Sequence, residues 1–296
     1  MTALRFDHLT KAWPGQRGVF DLDFSVDDGD FFGFIGENGS GKSTSIRTAL
    51  GLLRPTSGRA QLFDRDIDDD ARADVGYVPA EPGLWDGHTV GEALSFLGSF
   101  HQRDTRPRRR ALLELLELDP GRRASELSLG NKKKVALIAA LQHEPRLLIL
   151  DEPSSGLDPL MQQRLFTLLG EEQARGATVF FSSHVLGEVE RCCTRVAILK
   201  RGRLAQLATV DELRARQIRR VELSPAARAT TTLALPGVEG LVVDGDRARF
   251  SWAGSLPVLL RALADDGVDD VTIERPSLEE VVLAHYGDHG GDHVTA

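Results

Sequence analysis

No apolar run in the sequence approaches the roughly 20 residues that a membrane-spanning helix needs. The longest apolar stretches, such as Leu147 to Leu150, have the length of a buried strand. The start, MTALRFDHLT, places no apolar segment behind a basic one, so no cleaved leader is expected. Cysteine is almost missing: Cys192 and Cys193 stand side by side and are the whole complement. Neighbours in sequence rarely bridge, and no CxxC or Cys/His spacing exists, so neither a disulfide framework nor a zinc site is expected. Positive charge is not in excess either. A net charge of -8 offers no positive face to displace counterions from nucleic acid, so no nucleic-acid partner is expected. These absences predict a soluble, intracellular chain whose membrane role, if any, comes through a partner.

What is present is an ordinary globular balance, 41% hydrophobic and 27% charged, over 296 residues. That length suits one large domain with a smaller one. Short strands are expected at Leu4 to Leu9, Val19 to Val26 and Phe31 to Ile35, the last a nearly continuous apolar run of the kind buried on both faces. GENGSGKST follows at once, from Gly36 to Thr44, and then a helical pattern carrying Ile46, Ala49 and Leu50. Strand, glycine loop and helix are the setting in which GxxxxGK[ST] is a phosphate-binding loop. Gly36, Gly39 and Gly41 let backbone N–H groups turn inward, and the helix N-terminus adds its partial positive charge. Lys42 is expected to reach the β- and γ-phosphates and Ser43 to ligate Mg²⁺, with Asn38, Ser40 and Thr44 completing the nucleotide cradle.

LLILDEP, Leu147 to Pro153, reads as an apolar strand ending in two carboxylates. Such a strand is expected beside the loop-bearing strand, delivering Asp151 to the Mg²⁺ shell. Glu152 then points to the opposite side of the chain, placed to take a proton from an attacking water, a general-base contribution of about 10²–10⁴-fold.

Between these elements lies ELSLGNKKKV, Glu126 to Val135, and with it the chain resembles the ATPases of the ATP-binding cassette (ABC) family. The resemblance covers about residues 1–215. It implies a P-loop NTPase core with an antiparallel β arm and a helical subdomain (about 88–143), an α/β fold that hydrolyses ATP with Mg²⁺. Leu127, Ser128 and Gly130 match the family signature, which meets the γ-phosphate held by the other subunit of a dimer. Leu129 and Asn131 depart from it. Lys132, Lys133 and Lys134 fall in the first turn of the signature helix, where cations oppose the helix dipole. They read either as a solvated or interface face or as a share in polyphosphate electrostatics. SSGLD, Ser154 to Asp158, resembles the loop that crosses the dimer interface, and His184, at the end of ATVFFSSH, matches the family's switch histidine. Trp13 matches the aromatic that stacks on adenine. The glutamine expected after VGYVP is replaced by Ala80, leaving Glu81 as a candidate for the lost contact to Mg²⁺ or water.

Leu112, Leu113, Leu115 and Leu116 are expected to form one amphipathic stripe, and the arginines Arg103, Arg106, Arg108, Arg109 and Arg110 a solvated helix face. Beyond Gln217 the elements shorten. A strand at Val221 to Leu223, a helix over Ala226 to Leu235, a hairpin around Asp244-Gly245, a helix at Ser255 to Leu263 and a strand at Val271 to Ile273 suggest a ferredoxin-like domain over 216–287. It would close with a helix capped by Ser277, and 288–296, with His289 and His293, would form a disordered tail. This ending resembles the extension on exporter ATPases of the daunorubicin-resistance type.

The resemblance implies a motor subunit of a membrane exporter of drugs, lipids or other small hydrophobic compounds. It would work as a homodimer or heterodimer on the inner membrane face, with a separate permease. The competing reading is an ABC ATPase acting on ribosomes or DNA.

Overall fold

A computed structural model describes residues 1–15, 17–215 and 219–274. The chain divides into two compact units, one of Met1–Val210 and one beginning at Asp211.

In the first unit β1 (Thr2–Trp13) and β2 (Arg17–Asp27) form an antiparallel hairpin, followed by β3 (Phe31–Ile35), the glycine loop and α1 (Lys42–Ala49). Next come β4 (Ser57–Leu62), β5 (Arg65–Asp66), α2 (Asp69–Ala73) and β6 (Val75–Val78). Three helices follow: α3 (Val90–Gly98), α4 (Arg106–Leu115) and α5 (Leu129–Leu141). The unit is completed by β7 (Leu147–Asp151), α6 (Pro159–Ala174), β8 (Thr178–Ser183), α7 (Leu186–Cys192), β9 (Arg195–Lys200) and β10 (Arg203–Thr209). A short α8 (Val210–Ala215) leads into the second unit. No helix among the described residues is long and apolar enough to cross a membrane.

Two sheets make the first unit, an arm ordered β2-β1-β4-β5 and a second sheet ordered β10-β9-β3-β8-β7-β6. Every residue of β3, β7 and β8 is buried, as parallel strands covered on both faces must be. The sheets are joined by aromatic packing: Phe6 and Phe24 of the arm stack at 4.5 Å, and Phe24 stacks on Phe32 at 5.7 Å. Phe34 and Phe180 extend this cluster.

The strand order corrects one expectation. The carboxylate strand β7 does not adjoin the loop-bearing β3, because β8 lies between them and pairs in parallel with both. β8 is as fully buried as β7, and burial patterns alone do not order central strands. The register still sets Asp151 opposite Ser182 and Ile35 opposite Ser183, so the ends of all three strands meet at one edge. That edge is where open α/β sheets place their ligands.

The helical region differs from expectation in two details. Leu112 and Leu116 are buried, but Leu115 is largely exposed, so the stripe is narrower than four leucines. The arginine run is not wholly solvated. Arg108 forms a 2.5 Å ion pair with Glu172 of α6, whose side chain is only 3% exposed, and Arg175 reaches the same carboxylate.

The second unit contains β11 (Arg219–Ser224), α9 (Thr230–Leu233), β12 (Val238–Asp244), β13 (Arg247–Trp252), α10 (Leu256–Asp266) and β14 (Asp270–Glu274). Its antiparallel order, β12-β13-β11-β14, is that of a ferredoxin-like sheet, with Val221, Leu223, Phe250, Trp252, Leu259 and Leu263 in the core. The helix expected over Ala226 to Leu235 is reduced to a single 3-10 turn and the short α9. Three consecutive threonines make a poor helix, and Asp266 accepts the N–H groups of Thr231 and Thr232 instead. The helix expected at Ser277 and the histidine-bearing tail lie outside the described residues.

Candidate active site

The glycine loop closes round its own lysine. Gly41 has φ +109° at the start of α1, a conformation L side chains rarely adopt. A Cβ on Gly36 would sit 2.4 Å from Ser40 Oγ, so only glycine fits. Lys42 is buried, and its Nζ donates to the carbonyl oxygens of Gly36 (2.6 Å) and Glu37 (3.2 Å). The first turn of α1 contains no acidic residue, which leaves its N-terminal charge free to favour an anion. Ser43 and Thr44 are half-buried in that turn, Ser40 is buried, and Asn38 and Gly39 are exposed.

Asp151 is fully buried at the end of β7. Its Oδ1 accepts a 2.7 Å hydrogen bond from Ser182 Oγ, while Oδ2 is buried with no hydrogen-bond partner. A desolvated carboxylate oxygen without a donor is costly, and a hard cation such as Mg²⁺ is the kind of group that satisfies it. The residues present therefore fit that ion.

Glu152 adopts φ +48°, which costs a non-glycine residue about 1–2 kcal/mol. The conformation is held from several sides. Its N–H donates to Ser182 Oγ at 3.1 Å, and its carbonyl accepts a 2.6 Å hydrogen bond from Lys133 Nζ. Its carboxylate bridges two of the expected site residues, with Oε1 3.2 Å from Lys42 Nζ and Oε2 3.2 Å from His184 Nδ1. Lys42, Glu152 and His184 thus form one cluster beside Asp151.

Trp13, at the end of β1, lines a cleft of about 870 Å³ together with Gly39, Gly41 and Thr44. Lys11 Nζ lies 4.4 Å from the centroid of its ring. Arg17, Arg201 and Arg203 line the same cleft. The turn carrying Arg201 is fastened to the glycine loop: Gly202 N–H donates to Ser40 O at 2.9 Å, and Gly202 O accepts from Phe20 N–H at 2.7 Å.

Other expected residues bond within their own turns. Ser128 caps α5, its Oγ accepting from Asn131 N–H at 3.3 Å. A Cβ on Gly130 would meet Gly156 O at 3.3 Å, so the signature turn packs on the loop after β7. Asp158 caps α6 by accepting from Met161 N–H at 3.0 Å. Among the described residues nothing links Ser128, Gly130 or Asp158 to Lys42 by a hydrogen bond or ion pair. Glu81 is exposed, and nothing ties it to Asp151 either.

Three features escape the sequence patterns. Ser182 orients Asp151, and no motif marks it. The arginines at the cleft come from two separate hairpins and meet only in the fold. Lys133 is 1% exposed, whereas its neighbours Lys132 and Lys134 are half-buried. Burial pushes its ammonium pKa down, against the pull of Glu152, Asp151 and Glu188. Its signal lies in α5 being apolar nearly all round, with Val135, Ala136, Leu137, Ile138, Ala140 and Leu141 also buried.

Comparison with known proteins agrees with this fold. The family described as ABC transporter matches residues 19–155. The chain is 31% identical to the bacitracin transport ATP-binding protein BcrA of Bacillus licheniformis, over 97% of this chain and 98% of that protein. It is equally identical, 31%, to the daunorubicin resistance ATP-binding protein DrrA3 of Streptomyces coeruleorubidus, over 97% and 96% respectively. A solved structure of an ATP-binding subunit of an ABC transporter superposes with a TM-score of 0.68 at 32% identity, covering 72% of this chain and 92% of its own.

Proposed function

Since the chain belongs to the ABC transporter ATP-binding family and is an ATPase, we propose that it is the motor of a membrane exporter for drugs, lipids or other small hydrophobic compounds. The observation that carries the chemistry is the bridging of Lys42 and His184 by the Glu152 carboxylate, beside Asp151 with its unpartnered oxygen. The loop N–H groups, Asn38, Ser40, Thr44 and Lys42 hold the nucleotide phosphates, and Trp13 meets the base. Ser43 and Asp151 are the residues that would hold Mg²⁺, which supplies charge neutralisation at the β- and γ-phosphates. Glu152 takes the proton of the attacking water, and His184 orients Glu152 through their 3.2 Å contact.

Ser128 caps its own helix and neither it nor Gly130 bonds to Lys42 of the same chain, which supports a sandwich in which a second ATPase subunit, identical or homologous, receives them. Bacitracin transport and daunorubicin resistance are the roles named for relatives that match along nearly the whole chain, the second unit included. That supports export and a regulatory or dimer-stabilising role for residues 216–287, with residues 1–215 as the cassette.

A partner permease is supported by an exposed aromatic ladder in the helical region. Trp85, Phe96 and Phe100 are 49%, 52% and 68% exposed and meet edge to face at 5.4 and 5.0 Å. The protein would then sit on the inner face of the membrane through that permease. A mild-detergent pull-down from native membranes tests the reading. A stoichiometric polytopic membrane protein is expected with wild type and is lost with Phe100→Asp. Recovery of ribosomal or DNA-repair proteins instead would move the ATPase to the other class.

A further inference from the structure

Lys133 buries an ammonium at the heart of the cassette and spends it on a backbone carbonyl. Its Nζ donates at 2.6 Å to Glu152 O, the peptide oxygen of the residue whose carboxylate bridges Lys42 and His184. A buried charge of this kind is costly, so a salt bridge or surface position would be cheaper if lysine served only to fill space. Its partner residue is strained, with φ +48°, and such a conformation persists only where its surroundings over-determine it. Ser182 fixes the amide side of Glu152, and Lys133 fixes the carbonyl side.

Lys133 also lies on α5, the helix that Ser128 caps. At 1.5 Å per residue it sits about 6 Å along the axis from Leu129, so one rigid helix joins the signature turn to the Glu152 peptide. We infer that Lys133 is a positioning residue that holds the Glu152 carbonyl, aims the carboxylate between Lys42 and His184, and ties each signature turn to the proton acceptor of its own chain. The inference rests on the reading of Glu152 as that acceptor.

The test compares Lys133→Met, Lys133→Gln and Glu152→Gln in the full-length purified chain, by steady-state ATP hydrolysis, fluorescent ATP-analogue binding and thermal melting. Lys133→Met removes the donor at similar length. It is expected to keep KM and analogue affinity within about twofold while kcat falls about tenfold or more, the effect of leaving a buried acceptor unmet. Lys133→Gln still offers an N–H and restores most of the lost kcat. The double variant Lys133→Met/Glu152→Gln is expected to be no slower than Glu152→Gln alone, since the two act as one unit.

A folded Lys133→Met chain with wild-type kcat, or one whose kcat stays constant while only KM or melting temperature moves, overturns the positioning role. If Lys133→Met does not fold, Lys133→Leu, which also removes the donor, takes its place. A fall in kcat at near-constant KM there supports the positioning role, and wild-type kcat overturns it. Undiminished turnover in Glu152→Gln sinks the acceptor assignment separately.

Discussion

The Lys42 ammonium lies 3.2 Å from Glu152 Oε1, so the cation expected to hold phosphate and the carboxylate expected to take a proton are partners in the same cluster. Phosphate and Glu152 therefore compete for one ammonium. Glu152→Gln keeps the shape of the side chain but gives up both the charge and the base. Turnover is expected to fall by about 10²–10⁴-fold, with nucleotide affinity unchanged or higher. Steady-state hydrolysis beside nucleotide titration checks this, and near wild-type turnover would remove Glu152 from the base role.

A second prediction concerns Glu172, which is almost wholly buried and shared by Arg108 and Arg175. The carboxylate ties α4 of the helical region to α6. Glu172→Leu leaves the largely buried Arg108 without its partner and is expected to cost about 3–5 kcal/mol. Arg108→Met should cost clearly less, because Arg175 still neutralises the carboxylate. Urea melts of both variants measure the asymmetry, and equal losses would contradict it.

The third prediction is a pH dependence. His101 and His143 stack with centroids 3.8 Å apart, and His143 is buried where α5 gives way to β7. Burial, reinforced by the neighbouring His101, lowers the His143 pKa from 6.5 to about 4. The unfolded chain therefore takes up a proton below pH 6.5 that the folded chain refuses until about pH 4. Stability is full above 6.5 and falls as pH drops through this window, by about 2 kcal/mol at pH 5. His143→Phe keeps an aromatic ring without titrating, so its melting temperature should fall less between pH 7 and pH 5 than that of wild type. Parallel slopes for the two proteins would place the acid sensitivity elsewhere.

The sequence carries the chemistry of the loop more fully than the arrangement around it. Glycine spacing before Lys42 is legible because backbone geometry leaves so few alternatives at Gly36 and Gly41. The hairpin at Asp244-Gly245 is legible for the same reason. The position of β8 between β3 and β7 is not, since three equally buried strands give no signal of their order. Nor does a run of three lysines say which one faces inward when the helix bearing it is buried on nearly every side. Arg108 is likewise indistinguishable from its solvated neighbours until Glu172, far along the chain, folds against it.

The last prediction separates strain from binding at Arg201. This residue takes φ +48° in the turn between β9 and β10, where glycine would be cheaper, and its turn is pinned to Ser40 O and Phe20 N–H through Gly202. Its side chain lines the cleft shared by Trp13 and the glycine loop, as do those of Arg17 and Arg203. Relief of the left-handed conformation gains about 1–2 kcal/mol, and the extra backbone freedom of glycine takes back about 0.5–1 kcal/mol. Arg201→Gly is therefore expected to melt at or slightly above the wild-type temperature. A guanidinium at this position offers only donors, which suit the acceptor atoms of a purine, a ribose or a phosphate. Its loss should weaken nucleotide binding about five- to tenfold, the worth of one partly exposed charge-assisted contact. Thermal melts and fluorescent-nucleotide titrations on the same preparation read the two effects independently. Unchanged affinity in a folded Arg201→Gly chain would leave the strained turn as a purely structural clamp on the glycine loop.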